Sequence, residues 1–290
     1  MKKKGFVEKT LYGKDKDDFT SELLPSNRYS AFFKVIKTHW MHLIILSMLS
    51  VLAFLPLYFC YVAKSAYILE KSLEVSSELL PNLVISTNLV FGVIMIPLLI
   101  LGMIILQGVI GIIRKMVFRE GYLLFIDFTK SIKSGIKNTI INSLVLGIIL
   151  NICSFNFNFL SLETSIKDYI KAIILIVVLI ILIFILLISL TNICLNSIYE
   201  LNVKSMYKNS FLLVFTKPLK SMLFLFIVLL PILLLIFAPS FLMGIIILII
   251  MFLFINAISL LIYFLYNSSL FDEYINKKYC PNIYRKGLKK

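Results

Sequence analysis

His39 and His42 are the only histidines in the chain. Their His-x-x-His spacing would place both imidazoles on one face of a helix, where they could hold a metal ion. No carboxylate or cysteine stands nearby to complete a ligand set, and the pair flanks Trp40 just ahead of an apolar run. Polar-tipped rings collect at membrane–water boundaries, so anchoring is the expected role. The four cysteines, Cys60, Cys153, Cys194 and Cys280, are isolated. Without a Cys-x-x-Cys pair they suggest neither a disulfide framework nor a zinc site. His-Glu-x-x-His, Gly-x-Ser-x-Gly and a Gly-Lys-Ser/Thr phosphate loop do not occur. The expectation is a protein that is not an enzyme, with no catalytic residue, no metal and no other cofactor.

The remaining chemistry is that of amides and lysines. The long apolar runs hold no Asp, Glu, Lys or Arg, and their larger polar residues include Gln107, Asn142, Asn151, Asn192, Asn196 and Asn256. Ion-coupled pumps carry intramembrane charges, so proton-coupled transport is not expected. Asn192 and Asn196 are four apart and share a helix face. They could line a polar path, but amides of this kind more often bond between helices. Intramembrane polar contacts are thus expected at Gln107, Asn151, Asn192, Asn196 and Asn256.

These residues need elements to position them. Sixty per cent of the 290 residues are hydrophobic and the mean hydropathy is +0.98, beyond what one soluble core hides. Six apolar stretches stand out, at 41–63, 88–113, 139–159, 172–198, 221–237 and 241–266. Backbone polar groups in lipid must be satisfied within their own segment, which leaves helices as the spanning structure. Six spans of about 20 residues leave no room for a separate soluble enzyme domain. The expected fold is an all-α polytopic membrane protein. A cytoplasmic, partly disordered tail (1–27) precedes a six-span domain (28–274) and a basic cytoplasmic tail (275–290). The 64–87 segment is expected as an outer loop with a short surface helix. Met1-Lys2-Lys3-Lys4 opens like a signal peptide, but the first apolar run starts too late, so that run reads as a retained span.

The net charge is +14. Its placement between apolar runs argues for a membrane and against nucleic acid. Of the 29 Lys and Arg, 25 lie in the N-terminal segment, loops 114–138 and 199–220, and the C-tail. The positive-inside rule then puts both termini and these loops in the cytoplasm of a bacterial inner membrane.

A pattern F-x-K-x-[IL]-K-[ST] recurs before the first, third and fifth runs, beginning at Phe32, Phe128 and Phe215. Apolar residues extend it at helical spacing: Tyr29, Phe32 and Ile36 in one copy, Phe125, Phe128, Ile132 and Ile136 in another. Such a helix would lie in the membrane interface with lysines toward phosphates. The fold becomes three hairpins with amphipathic cytoplasmic feet. Lys130, Lys133, Lys217 and Lys220 on these feet are candidate docking residues for a cytoplasmic or membrane partner.

The segment from Gly121-Tyr122 through Asp127-Phe128 to Lys130 and Lys133 resembles the central loop of the YesL-like family of uncharacterised bacterial membrane proteins. The run Asn209-Ser210-Phe211-Leu212-Leu213 and the exit Leu270-Phe271-Asp272-Glu273-Tyr274 are similar to that family's second half. The likeness covers about Gly108 to Tyr274; the N-terminal tail and the 64–87 loop depart from it. It implies an accessory or regulatory role beside a transport system and no site residue. The alternative is the permease subunit of an ATP-driven exporter, with loop 114–138 as its coupling helix and an ATPase as its partner.

Overall fold

The architecture is that of a computed structural model describing residues 24–76, 79–162, 166–236 and 240–289. The described residues are helical with no strand. The 1–23 part of the N-terminal tail and Phe237-Ala238-Pro239, at the junction of the last two apolar runs, lie outside them.

Helix α1 spans Arg28–Ser72. Asn27 starts it: its side chain accepts the Ser30 N–H, and the Ser30 hydroxyl answers the Asn27 N–H. This reciprocal box satisfies two otherwise orphaned donors. The first foot and first apolar run thus form one helix, kinked at His39, whose φ of −126° and ψ of 23° are not helical. Among the described residues of 64–87 no separate surface helix occurs. Good helix formers carry α1 to Ser72, and α2 (Leu80–Phe118) begins with Pro81 in its first turn, where proline's missing N–H costs nothing.

Helix α2 ends at Arg119, in the left-handed region at φ 57°. Helix α3 (Leu124–Leu162) joins the second foot and third run. Loop 114–138 is therefore two helix ends around a 119–123 connection, not an independent coupling helix. Helix α4 covers Asp168–Ile198 and α5 Val203–Thr216. The chain then bends by 104° into α6 (Pro218–Ile236). Proline disfavours a helical residue before it, and Lys217 accordingly sits at φ −140°, ψ 64°. The third foot is broken at this point, whereas the first two run into their spans.

The last long helix comes in pieces. Helix α7 (Phe241–Ile250) passes through a π turn at Met251–Ile255 into α8 (Asn256–Phe271). A second π turn at Asp272–Asn276 leads to α9 (Lys277–Tyr279), and the helix ends before Cys280-Pro281.

Among the described residues, five helices are long and apolar enough to cross a membrane, or six if bent α5–α6 is one span. Helices α1, α2, α3 and α4 pack in succession, the α2–α3 contact being the most extensive, and α8 returns against α1. Leu46, Ile112, Ile113, Tyr263, Phe264 and Phe271 fill the centre. The flanks carry the opposite pattern: Val93, Ile173 and Phe226 are each more than half exposed. Surfaces this apolar are rare on soluble monomers and are compatible with a multi-pass membrane protein.

Charges gather at one end of the bundle, here the base. Residues 280–288 fold back across it. The Lys289 N–H donates to the Pro25 carbonyl, and Leu288 is buried. Gly287, at φ +80°, passes so close to the Val117 carbonyl that a Cβ would lie 2.3 Å from that oxygen.

Candidate functional site

Helices α3 and α4 face each other across a continuous polar seam. Its upper half centres on Asn142. The Asn142 Nδ2 donates to the Ser189 carbonyl (3.1 Å) and hydroxyl (2.9 Å), while Oδ1 accepts from Asn192 Nδ2 (2.9 Å) and the Tyr207 hydroxyl (3.2 Å). The Ser210 hydroxyl of α5 donates to Asn192 Oδ1. Every amide atom of Asn142 and Asn192 faces a partner of the right kind, as buried polar groups must.

The lower half centres on Asn196, one turn below Asn192 as the four-residue spacing predicts. The Asn196 Nδ2 donates to the Gly135 carbonyl at 3.0 Å, with Thr139 Oγ1 at 3.3 Å and Gln107 Oε1 at 3.4 Å. Asn138 Nδ2 reaches both Asn196 Oδ1 and the Leu201 carbonyl. Gly135 permits this approach, because a Cβ there would come within 2.4 Å of the Asn196 amide. Gln107 enters from α2 and is 1% exposed; its Oε1 is engaged, but its Nε2 has no hydrogen-bond partner.

Below Gln107 the seam opens into a cavity of about 640 Å³ between the basal ends of α2, α3 and α4. Arg114 stands on its wall, two turns along α2 from Gln107. Its Nη1 donates to the Ser197 carbonyl and its Nη2 to Glu120, while its Nε is unpartnered. Lys115 pairs with Asp127 at 2.6 Å. Burial alone would raise the Asp127 carboxyl, but the Lys115 ammonium and the Leu123 N–H outweigh it, so it titrates below the ordinary range. Lys130 and Lys137 of α3 also line the cavity.

The other sequence-chosen residues lie apart. Lys133 and Lys220 are exposed at the base. Lys217 pairs with Glu273 at 2.5 Å, and this contact draws the carboxyl of Glu273 downward. Asn151 ties α3 to α2 by donating to the Gly92 carbonyl. Asn256 is half-buried at the start of α8, away from the seam. His39 and His42 converge on the Tyr122 hydroxyl, at 3.0 and 2.7 Å from their Nδ1 atoms. No group of three metal-ligating side chains occurs among the described residues. Burial also pushes the Tyr122 phenol above its usual range.

Sequence reasoning missed Arg114, Asn138 and Thr139 as site residues and did not connect Gln107 to Asn196. The available sign was polar spacing on α3: Gly135, Asn138, Thr139 and Asn142 recur at three and four residues, drawing one face. The chain matches no protein-family model, no curated protein and no solved structure.

Proposed function

We propose that this chain is a non-enzymatic, multi-pass protein of a bacterial cell membrane, acting as an accessory or regulatory component beside a transport system. It crosses the bilayer about six times, as hairpins α1–α2, α3–α4 and α6 with the α7–α8 helix. The base, with both termini, faces the cytoplasm. The observation that carries this reading is the composition of that base. Lys130, Lys133 and Lys220 are exposed there beside exposed Phe125, Ile126, Phe215 and Leu219. A mixed basic and apolar face of this kind suits the membrane interface and a protein docked there.

The test is co-purification in mild detergent. Lys130, Lys133 and Lys220 are reversed to Glu, and Lys217 is kept because its ammonium holds Glu273. A transport permease should accompany the wild-type chain and be lost from the variant. An identical set of co-purifying proteins would sink the docking face. The exporter-permease reading draws on α5 instead, a short helix at 104° to α6 that exposes Phe211, Leu212 and Phe215. Recovery of an ATPase that depends on those three side chains would select it.

A further inference from the structure

We propose that the basal cavity between α2, α3 and α4 binds an oxyanion, a phosphate or carboxylate group carried by a small solute or by a lipid headgroup. The proposal goes beyond the accessory role and stands or falls separately from it.

Gln107 is 1% exposed and lines the cavity, and its Nε2 donates to nothing. A buried N–H without an acceptor is a costly arrangement that native structures rarely keep without a use. In its present orientation Oε1 faces two donors, Asn196 Nδ2 and the Thr139 hydroxyl, each at 3.4 Å. That arrangement leaves Nε2 as an unpartnered donor buried beside the cavity.

The walls ask for the same kind of guest. The Arg114 Nε is a second unpartnered N–H on this lining. Two lining carboxylates are already committed: Glu120 to Arg114 and Lys286, Asp127 to Lys115 and the Leu123 N–H. The third, Glu200, is exposed. Lys130 and Lys137 stand seven residues apart on α3, on one helical face, and both line the cavity. Unmet need here is for acceptors and negative charge, which an oxyanion supplies with several lone pairs at once. The volume, about 640 Å³, lies within the range of small-molecule pockets and exceeds a bare phosphate. The oxyanion therefore arrives on a larger polar body.

The experiment is a thermal-shift and calorimetric titration of the full chain in mild detergent. The probes are glycerol 3-phosphate as a free solute and dioctanoyl phosphatidylglycerol as a headgroup, with dioctanoyl phosphatidylcholine and glycerol as controls. Saturable stabilisation by glycerol 3-phosphate identifies a solute site; stabilisation by the phosphatidylglycerol alone identifies a headgroup site. Either supports the proposal, provided two variants each weaken binding at least tenfold. Gln107→Met keeps the side-chain length and removes the free donor. Lys130→Gln with Lys137→Gln removes two exposed charges and should also flatten the salt dependence of binding. Stabilisation by neither phosphate probe overturns the site, as does equal stabilisation by the controls, or wild-type affinity in either variant. If Gln107→Met does not fold, the exposed lysine pair decides alone.

Discussion

Asn142 uses both ends of its amide on other helices, and that makes it the residue whose loss should be felt most. Asn142→Leu strands the Asn192 Nδ2, the Tyr207 hydroxyl and the Ser189 hydroxyl at once. The expected cost is about 1–2 kcal/mol, between the modest value of single interhelical bonds and the penalty of a buried unpaired group. Thermal unfolding in detergent measures it; an unchanged midpoint would mean the seam does not hold α3 to α4. The facing of Asn192 and Asn196 was legible in the sequence, because two amides four residues apart must share a helix side. Their partners were not. Serines and threonines in apolar helices often bond only their own chain, as Ser143 does to the Thr139 carbonyl. Nothing in Ser189 or Ser210 as letters separates them from that habit. Tyr122, eighty residues beyond the histidines it bridges, was hidden for the same reason: side-chain meeting points across helices leave no local spacing to read.

The beginning of α3 shows how an element is held by charge. Asp127 Oδ2 accepts the Leu123 N–H and Oδ1 meets Lys115 of α2, so one carboxylate both caps a helix and ties it to its neighbour. Its folded pKa lies below the unfolded value near 3.9. Its contribution is therefore complete above the unfolded pKa and lost as the pH falls through the folded one. Asp127→Asn should lower the unfolding midpoint at pH 7, and the gap to wild type should close as the pH drops below about 4. A gap that stays constant from pH 7 to 3 would assign the effect to shape and not to charge. Helix existence was readable from the long apolar runs, even though Pro56, Pro97 and Pro231 stand inside three of them. The 104° bend had a sign too, since Pro218 disfavours a helical Lys217, but prolines inside α1, α2 and α6 stop no helix, and the repeat of the foot pattern masked the difference. The π turns at Met251–Ile255 and Asp272–Asn276 were not, because no residue type announces an extra residue in a helical turn.

At the scale of the molecule, the uneven charge makes a prediction about sidedness. With 25 of 29 basic residues in four segments, a reporter inserted after Glu74, in the 73–79 connection, should be active outside the cell, and one at the C-terminus inside. The reverse result would overturn the orientation and the cytoplasmic docking face with it. The base itself is closed by residues far apart in the chain. Arg28 binds Asp272 at 2.6 Å and the Lys286 carbonyl, Arg285 reaches the Ser26 carbonyl, and Gly287 lies on Val117 and Phe118. These closing residues leave the ribosome after every helix they seal. Helices α1 and α2 thus emerge with Arg28 lacking Asp272 and Phe118 lacking Phe264 and Gly287, and they stay so until α8 and the segment after it are made. The order of synthesis and the order of completion run in opposite directions: the first helices made are the last to be finished.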